Sequence, residues 1–438
     1  MNALKDAAIA RNQGNPTLRV ICAASYPGTL SHDGIDVCAE RVLCEIEDEI
    51  AYIQQDNLAL TSFSIVGFSL GGLIARYLLG ILETRHFFED VRPVNFTTFA
   101  SPAIGIPILP GMIPAVTRLA ASGVLSRTGS QLYLRDHFHS GLPLVQLMAS
   151  PESSFYQALC RFRRVEVYTN IVKDAVVPYM TGGIDEVDMF APAYAKAKAV
   201  AARPPVDMKD GGLDITFDSN YPCIVASVKE VQPPTHKRRL HFPHIPNPLP
   251  LFNPQRYEFM TFPLNYLLVA LVPLGVLPAV GLALGDLGGQ RIASEIRIAR
   301  FHPNESKRRE RVGLSGPEAT EEASQLNAEW HHHSANGSQA GTKTSSSALT
   351  DPVPLTADLA GVYNPVVEST PETGTSLPES QRNMIASLNS IPQMRKHLVY
   401  LDTAGFTSHP IMICQDTRDA EQRRGLDVVR HWADGFVF

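Results

Sequence analysis

The chain has 438 residues, a formal net charge of −6, and 44% hydrophobic against 19% charged residues. The weakly acidic balance argues against a nucleic-acid partner, and the length suits one catalytic α/β domain carrying insertions, since such folds run to about 200–250 residues as a single unit. The six cysteines, at 22, 38, 44, 160, 223 and 414, show no CxxC or other metal spacing, and several sit in apolar runs where a reduced thiol packs as a small hydrophobe. They point to a reducing, intracellular compartment. The opening MNALKDAAIARNQG has no long apolar core, so a cleaved secretory signal is not expected.

In chain order, Asn2–Ala10 reads as a short amphipathic helix stopped by Gly14-Asn15-Pro16, and Leu18–Ala23 as a buried strand. Tyr26–Gly34 carries the turn signals Pro27-Gly28 and Asp33-Gly34. Ile35–Gln55 is then a long helix with Val37, Val42, Leu43, Ile46, Ile50 and Ile53 on or near one face. Directly after it, Phe63, Ile65 and Val66 make a β-prone run that stops at Gly67-Phe68-Ser69-Leu70-Gly71-Gly72 and gives way to a helix with Leu73, Ile74, Tyr77 and Leu78 at helical spacing. Strand, sharp turn and helix around G-x-S-x-G is the context of a nucleophile elbow, with Ser69 as nucleophile and with Gly67 and Gly71 removing bulk where strand and helix approach. The bland alternative is a glycine-rich turn with a bystander serine.

Val94–Ser101 is the next strand, ending in a loop with Pro102 and Gly105. Residues 107–160 are rich in Pro, Leu and Gly and fit either a cap over the catalytic edge or a plain helical connection. Arg164–Ile171 alternates as a strand and places Asp174 just beyond its end. Alternating strands and helices predict a mostly parallel sheet with helices on its faces, with ligands at the carboxyl ends of the strands. Residues 191–260 read as an irregular insertion.

Phe262–Leu284 contains Asn265 as its one strongly polar residue and is long enough for a bilayer. Pro273, Gly275 and Pro278 interrupt a straight span, and basic residues flank both ends, among them Arg256 and Arg291. A bent hairpin inserted from the cytoplasmic face fits these features better than a straight span; a buried pair of core helices is the competing reading. Within a segment bounded at 261–302, Ile292, Ile296 and Ala299 alternate with Arg291, Arg297 and Arg300 as a basic amphipathic helix, either resting on anionic lipid or solvated on the domain surface. Residues 303–392 are dominated by Ser, Thr, Glu, Pro and Gly, predicting disorder, with His331-His332-His333 as a polar tract rather than a metal site. Lys396–Asp402 is a further strand, followed by a loop with His409 and by a closing helix over Ala420–Trp432. The core is thus expected over 1–190 and again over 393–438.

Serine hydrolysis needs a base to take the hydroxyl proton and a carboxylate to orient that base, and in this fold they follow as Ser, Asp or Glu, His on loops after strands. Asp174 and His409 meet both demands. Asp185 and Asp188 lie farther from a strand end, His397 opens a strand, and His431 sits in the last helix beside Trp432.

The chain resembles the fungal and plant serine esterase family, intracellular lipase-like α/β-hydrolases that include monoacylglycerol lipases and lipid-droplet phospholipases. The resemblance rests on Gly28-Thr29 with Asp33-Gly34-Ile35-Asp36 and Glu40-Arg41-Val42, on the elbow with Ala75-Arg76-Tyr77, and on Asn95-Phe96 leading to Ala100-Ser101-Pro102. It continues through Gly129 to Asp136, Asn170 to Tyr179, Ser408-His409 and Arg430-His431-Trp432. It implies an α/β-hydrolase fold, Ser69 as nucleophile, Asp174 as acid, His409 as base, and the Leu70 amide as one oxyanion donor. It also implies glycerolipid esters as substrates, a membrane or lipid-droplet surface as partner, and no metal or organic cofactor. The oligomeric state is left open. Family members open with a strand ending in His-Gly that supplies a second oxyanion amide. This chain contains no His-Gly pair, so the expectation includes a sheet without that strand. A catalytically impaired membrane-bound scaffold, or a thioesterase or protein deacylase, is the alternative.

Overall fold

Residues 1–12, 18–108, 127–138, 141–198, 207–232, 289, 292–298, 377–403 and 407–438 are described by a computed structural model. The chain divides into one unit of Met1–His302 with Gly374–Phe438 and a second of Pro303–Thr373. All described residues lie in the first. The apolar run 262–284 and the His331-His332-His333 tract fall outside the described residues.

Four strands form an all-parallel sheet in the order β1-β2-β3-β6, from β1 (Ser62–Phe68), β2 (Arg92–Phe99), β3 (Arg164–Asn170) and β6 (Met394–Val399). Their side chains alternate between two apolar layers. Phe96, Val165 and Val167 face a core shared with α2 (Ile35–Gln55) and α3 (Leu70–Thr84), whereas Phe99 and Tyr168 face Val428, Val429 and Trp432 of the closing helix Leu426–Gly435. The helix α1 (Asn2–Arg11) lays Leu4 and Ala8 against that second layer. The arrangement is an α/β/α sandwich, as the alternation of elements predicts.

Local chemistry explains the main elements. The N-terminus of α2 has no side-chain cap of its own. Instead Thr128 Oγ1 accepts Gly34 N–H at 2.9 Å and Gln131 Oε1 accepts Ile35 N–H at 2.7 Å, so the short helix Arg127–Leu132 satisfies donors that a helix start leaves free. Gly80 of α3 admits no side chain, because a Cβ there would lie 2.0 Å from Phe155 Cδ1. The helix Ser154–Arg161 therefore seats closely on α3, with the Phe155 and Tyr77 rings 5.1 Å apart. In the stretch 107–160, residues 144–160 pack into the core as a helical connection; residues 109–126 and 139–140 are outside the description.

Three expectations are corrected. Leu18–Ala23 form no strand: they carry no regular secondary structure and are half-buried to exposed, with Ile21 42% exposed. The described hydrogen bonds here run from Ala24 N–H to Glu45 and from Arg19 to Asp56. The reason lies in the sheet, where β1 pairs with β2 along one edge and has no strand beside its other edge among the described residues. Second, the expected disordered stretch 303–392 ends in an ordered helix, Glu379–Asn389, which buries Met384, Ile385 and Leu388 in the α2–α3 core. Third, 191–260 is not irregular throughout. It holds the helix Phe190–Lys198 and an antiparallel pair, β4 (Leu213–Phe217) and β5 (Val225–Glu230), which meets the sheet where Tyr400 N–H donates to Cys223 O.

Candidate active site

Ser69 occupies the turn between β1 and α3 with φ 54° and ψ −127°, a conformation that costs an ordinary residue on the order of 1–3 kcal/mol. It is held there from both sides. Ser69 N–H donates to Phe99 O at 2.9 Å, extending the β1–β2 ladder past the strand, and Gly72 N–H donates to Ser69 O at 3.1 Å. A Cβ on Gly67 would lie 2.5 Å from Gly72 Cα and N, and one on Gly72 would lie 2.2 Å from Ser101 Oγ. At Gly71 the nearest atom would be Tyr26 Oη at 3.5 Å, an ordinary contact. The close approach of strand and helix is therefore made by Gly67 and Gly72, while Gly71 brings the 26–34 loop against the elbow. Leu70, the first helical residue, has an N–H that the helix itself cannot satisfy.

In a parallel sheet the loops after all strands emerge at one edge. Asp174 follows β3 and His409 follows β6 at that edge. His409 Nδ1 and Asp174 Oδ2 are 2.8 Å apart across 235 residues of sequence. The Asp174 side chain is 3% exposed and that of His409 10%. Asp174 Oδ1 accepts the N–H groups of Val176 and Val177, both at 2.9 Å, so the carboxylate is fixed on both oxygens. The imidazole lies over Phe68, the residue before Ser69, with ring centroids 4.8 Å apart. His409 Nε2 is buried and has no hydrogen-bond partner among the described residues. The structure brings Asp174 and His409 into contact and places them beside the elbow; a hydrogen bond from Ser69 Oγ to His409 is not formed. Such bonds commonly close only when substrate is bound.

Two further side chains hold this arrangement, and neither stood out as functional in the sequence. Asn170, the last residue of β3, is buried; its Nδ2 donates to Leu401 O, Val172 O and Ser408 Oγ, and its Oδ1 accepts Leu401 N–H at 2.9 Å. One amide thus ties together the segments that lead to Asp174 and to His409. Thr407 Oγ1 accepts N–H from both Ala175 and His409. The signal in the sequence was an asparagine closing the strand VEVYTN just before the loop of Asp174.

The competing groups have structural partners. Asp185 pairs with Lys396 at 2.9 Å and accepts from Tyr179, and Asp188 caps the helix at Phe190 and Ala191. His397 stacks on Tyr168 and lies 3.4 Å from Glu166, while His431 Nδ1 shares a 2.8 Å hydrogen bond with Tyr168 Oη. Among the described residues no group of three His, Cys, Asp or Glu is placed to hold a metal ion.

Residues 1–188 match the family model described as "Putative serine esterase (DUF676)". This part of the chain is similar to that serine esterase family. Related curated proteins include "Putative lipase ROG1" of Saccharomyces cerevisiae, 36% identical over 138 residues, and "Putative lipase YDL109C" of the same yeast, 34% identical over 135 residues. "Putative lipase C4A8.10" of Schizosaccharomyces pombe is 33% identical over 128 residues. These matches cover 28–30% of this chain and 16–20% of the relatives, so the similarity spans about a fifth or less of each relative's length. No solved structure matches the chain. The match agrees with an α/β-hydrolase fold for the parallel sheet, with Ser69 in the part of the chain that the family model covers and Asp174 near its end.

Proposed function

We propose that the chain is a serine hydrolase acting on the carboxylic esters of glycerolipids, in lipid degradation at a membrane or lipid-droplet surface facing the cytoplasm. Ser69 Oγ attacks the acyl carbonyl as His409 Nε2 takes its proton. Asp174 holds the imidazole in the tautomer that leaves Nε2 free to accept, and stabilises the imidazolium that forms. The Leu70 N–H faces the developing oxyanion. His409 then returns the proton to the departing glycerol oxygen, and water, activated by the same imidazole, releases the fatty acid and frees Ser69. The observation that carries this reading is the buried 2.8 Å contact of Asp174 with His409 at the sheet edge where Ser69 sits in its strained turn. The lipid substrate rests on the family resemblance and on the apolar run 262–284.

One observation favours a second reading, a scaffold with impaired chemistry. With no strand beside the outer edge of β1 among the described residues, Leu70 is the one oxyanion donor assigned. Loss of one donor of a pair costs about 3–4 kcal/mol of transition-state stabilisation. Turnover of a glycerolipid ester, a short soluble ester and a thioester by purified protein separates the cases. Preference for the glycerolipid supports the lipase, preference for the thioester favours the thioesterase alternative, and no turnover of any favours the scaffold.

A further inference from the structure

We infer that the helix at 292–298 is a lipid-contacting element clamped by Asp33 onto the loop that meets the elbow, with Ile292 and Ile296 laid against a phospholipid surface that contains anionic lipid. The inference rests on the membrane association proposed above and names the surface that makes it.

The clamp is well defined. Asp33 is fully buried, and its carboxylate collects four donors: Ser294 Oγ at 2.6 Å, Arg297 Nη2 at 2.6 Å and Nε at 3.2 Å, and Arg41 Nη2 at 2.7 Å. Arg297 grips both carboxylate oxygens, the two-point geometry that makes arginine–carboxylate pairs strong and directional. Burial opposes the charge on Asp33, but the bonds from Arg297, Ser294 and Arg41 outweigh it and hold the carboxyl below its ordinary range. Arg297 also donates to Thr29 O at 3.3 Å.

This anchoring turns the helix over. An amphipathic helix on a soluble domain normally buries its apolar stripe and exposes its charges. Here Ser294 is buried and Arg297 is engaged inward, while Ile292 is 61% and Ile296 47% exposed, one turn apart on one face. Exposed aliphatic residues scattered singly need no explanation, but a helix that turns Ser294 and Arg297 inward and presents Ile292 and Ile296 outward, beside the exposed Glu295, does. The position is also specific. Asp33, which holds the helix, belongs to the loop whose Tyr26 meets the elbow at Gly71. Val176, two residues after Asp174, is 49% exposed as well.

The chemistry of the flanking sequence selects the occupant. Arg291 and Arg300 bracket the helix, and the run Phe262–Leu284, long enough for a bilayer, ends eight residues before Ile292. Aliphatic residues set among arginines beside such a run are the composition of an interfacial helix on anionic lipid.

The test uses the full chain with Ile296→Trp and vesicles of phosphatidylcholine and phosphatidylserine with brominated acyl chains. The emission that this variant adds over the unsubstituted chain should shift to the blue and lose most of its intensity. The same indole introduced by Tyr52→Trp, on the exposed side of α2, should be unaffected. Equal, water-like emission from both variants would overturn the inference. If Ser69-dependent hydrolysis of a soluble ester persists in that case, the hydrolase reading stands without it; quenching in a chain that hydrolyses nothing supports the lipid contact and removes the hydrolase reading. Adding Arg297→Gln should lower turnover of vesicle-borne ester relative to soluble ester several-fold, and an unchanged ratio would reject Asp33 as the clamp.

Discussion

The side chains around Ser69 divide into those that do chemistry and those that fix geometry, and substitutions should separate them. With Asp174→Asn the imidazole keeps a neighbour of the same shape but loses the carboxylate that selects its tautomer, so kcat for a soluble ester should fall by about four orders of magnitude. The circular dichroism spectrum and melting temperature should stay close to those of the unsubstituted chain. Gly67→Ala forces a methyl group to within 2.5 Å of the Gly72 backbone, where neither strand nor helix can yield, and should destabilise by about 3 kcal/mol. Gly71→Ala makes only an ordinary contact, with Tyr26 Oη, and removes a glycine from a helix, so it should be neutral or stabilising by about 0.5–1 kcal/mol. Denaturant midpoints of the two variants measure the contrast. Asn170 acts through Asp174 and His409. Asn170→Ala strands the buried Leu401 N–H and removes a donor from the carbonyls of Leu401 and Val172 at a cost of about 2–3 kcal/mol, and it should lower kcat more than it changes KM.

At the scale of elements, what could be read from the sequence was what local pattern decides. The helix Ile35–Gln55, the elbow, the two following strands and the loop of Asp174 carry their own periodicity and turn residues, and they fold as read, whereas His409, expected on a loop, opens a short 3-10 helix, His409–Ile413. Leu18–Ala23 has strand composition but no neighbour to pair with, and composition cannot report a missing partner. Helix Glu379–Asn389 was hidden because its four core residues, Gln381 among them, are diluted by polar ones within a long Ser- and Pro-rich tract. The helix 292–298 was legible as amphipathic, but the face it buries is set by Asp33, which is 261 residues from Ser294 in the chain. The closing helix Leu426–Gly435 makes a pH-dependent contribution. Burial, reinforced by the neighbouring His397, pushes His431 down to about 4 from an ordinary 6.5. The unfolded chain therefore binds a proton in this window that the folded chain refuses, and stability should fall as pH drops from about 6.5 towards 4 and then level off. Thermal melts over that range should show the decline. His431→Gln, which keeps a group able to bond Tyr168, should flatten it.

On the scale of the whole molecule, the groups proposed for catalysis come from both ends of the first unit and meet only because β6 returns beside β3 after the long intervening stretch. Replacing Pro303–Thr373 by a flexible linker should therefore leave the melting temperature within a few degrees and the esterase rate unchanged, as checked by calorimetry and turnover of a soluble ester. A large loss of either would show that the second unit contributes to the core. An activated Ser69 reacts with a fluorophosphonate in the folded, purified chain, and peptide mass spectrometry locates the adduct. One adduct is expected, on Ser69, abolished by Ser69→Ala and slowed by orders of magnitude in His409→Ala; a folded chain that forms no adduct, or one that keeps its adduct in Ser69→Ala, rules Ser69 out as the nucleophile.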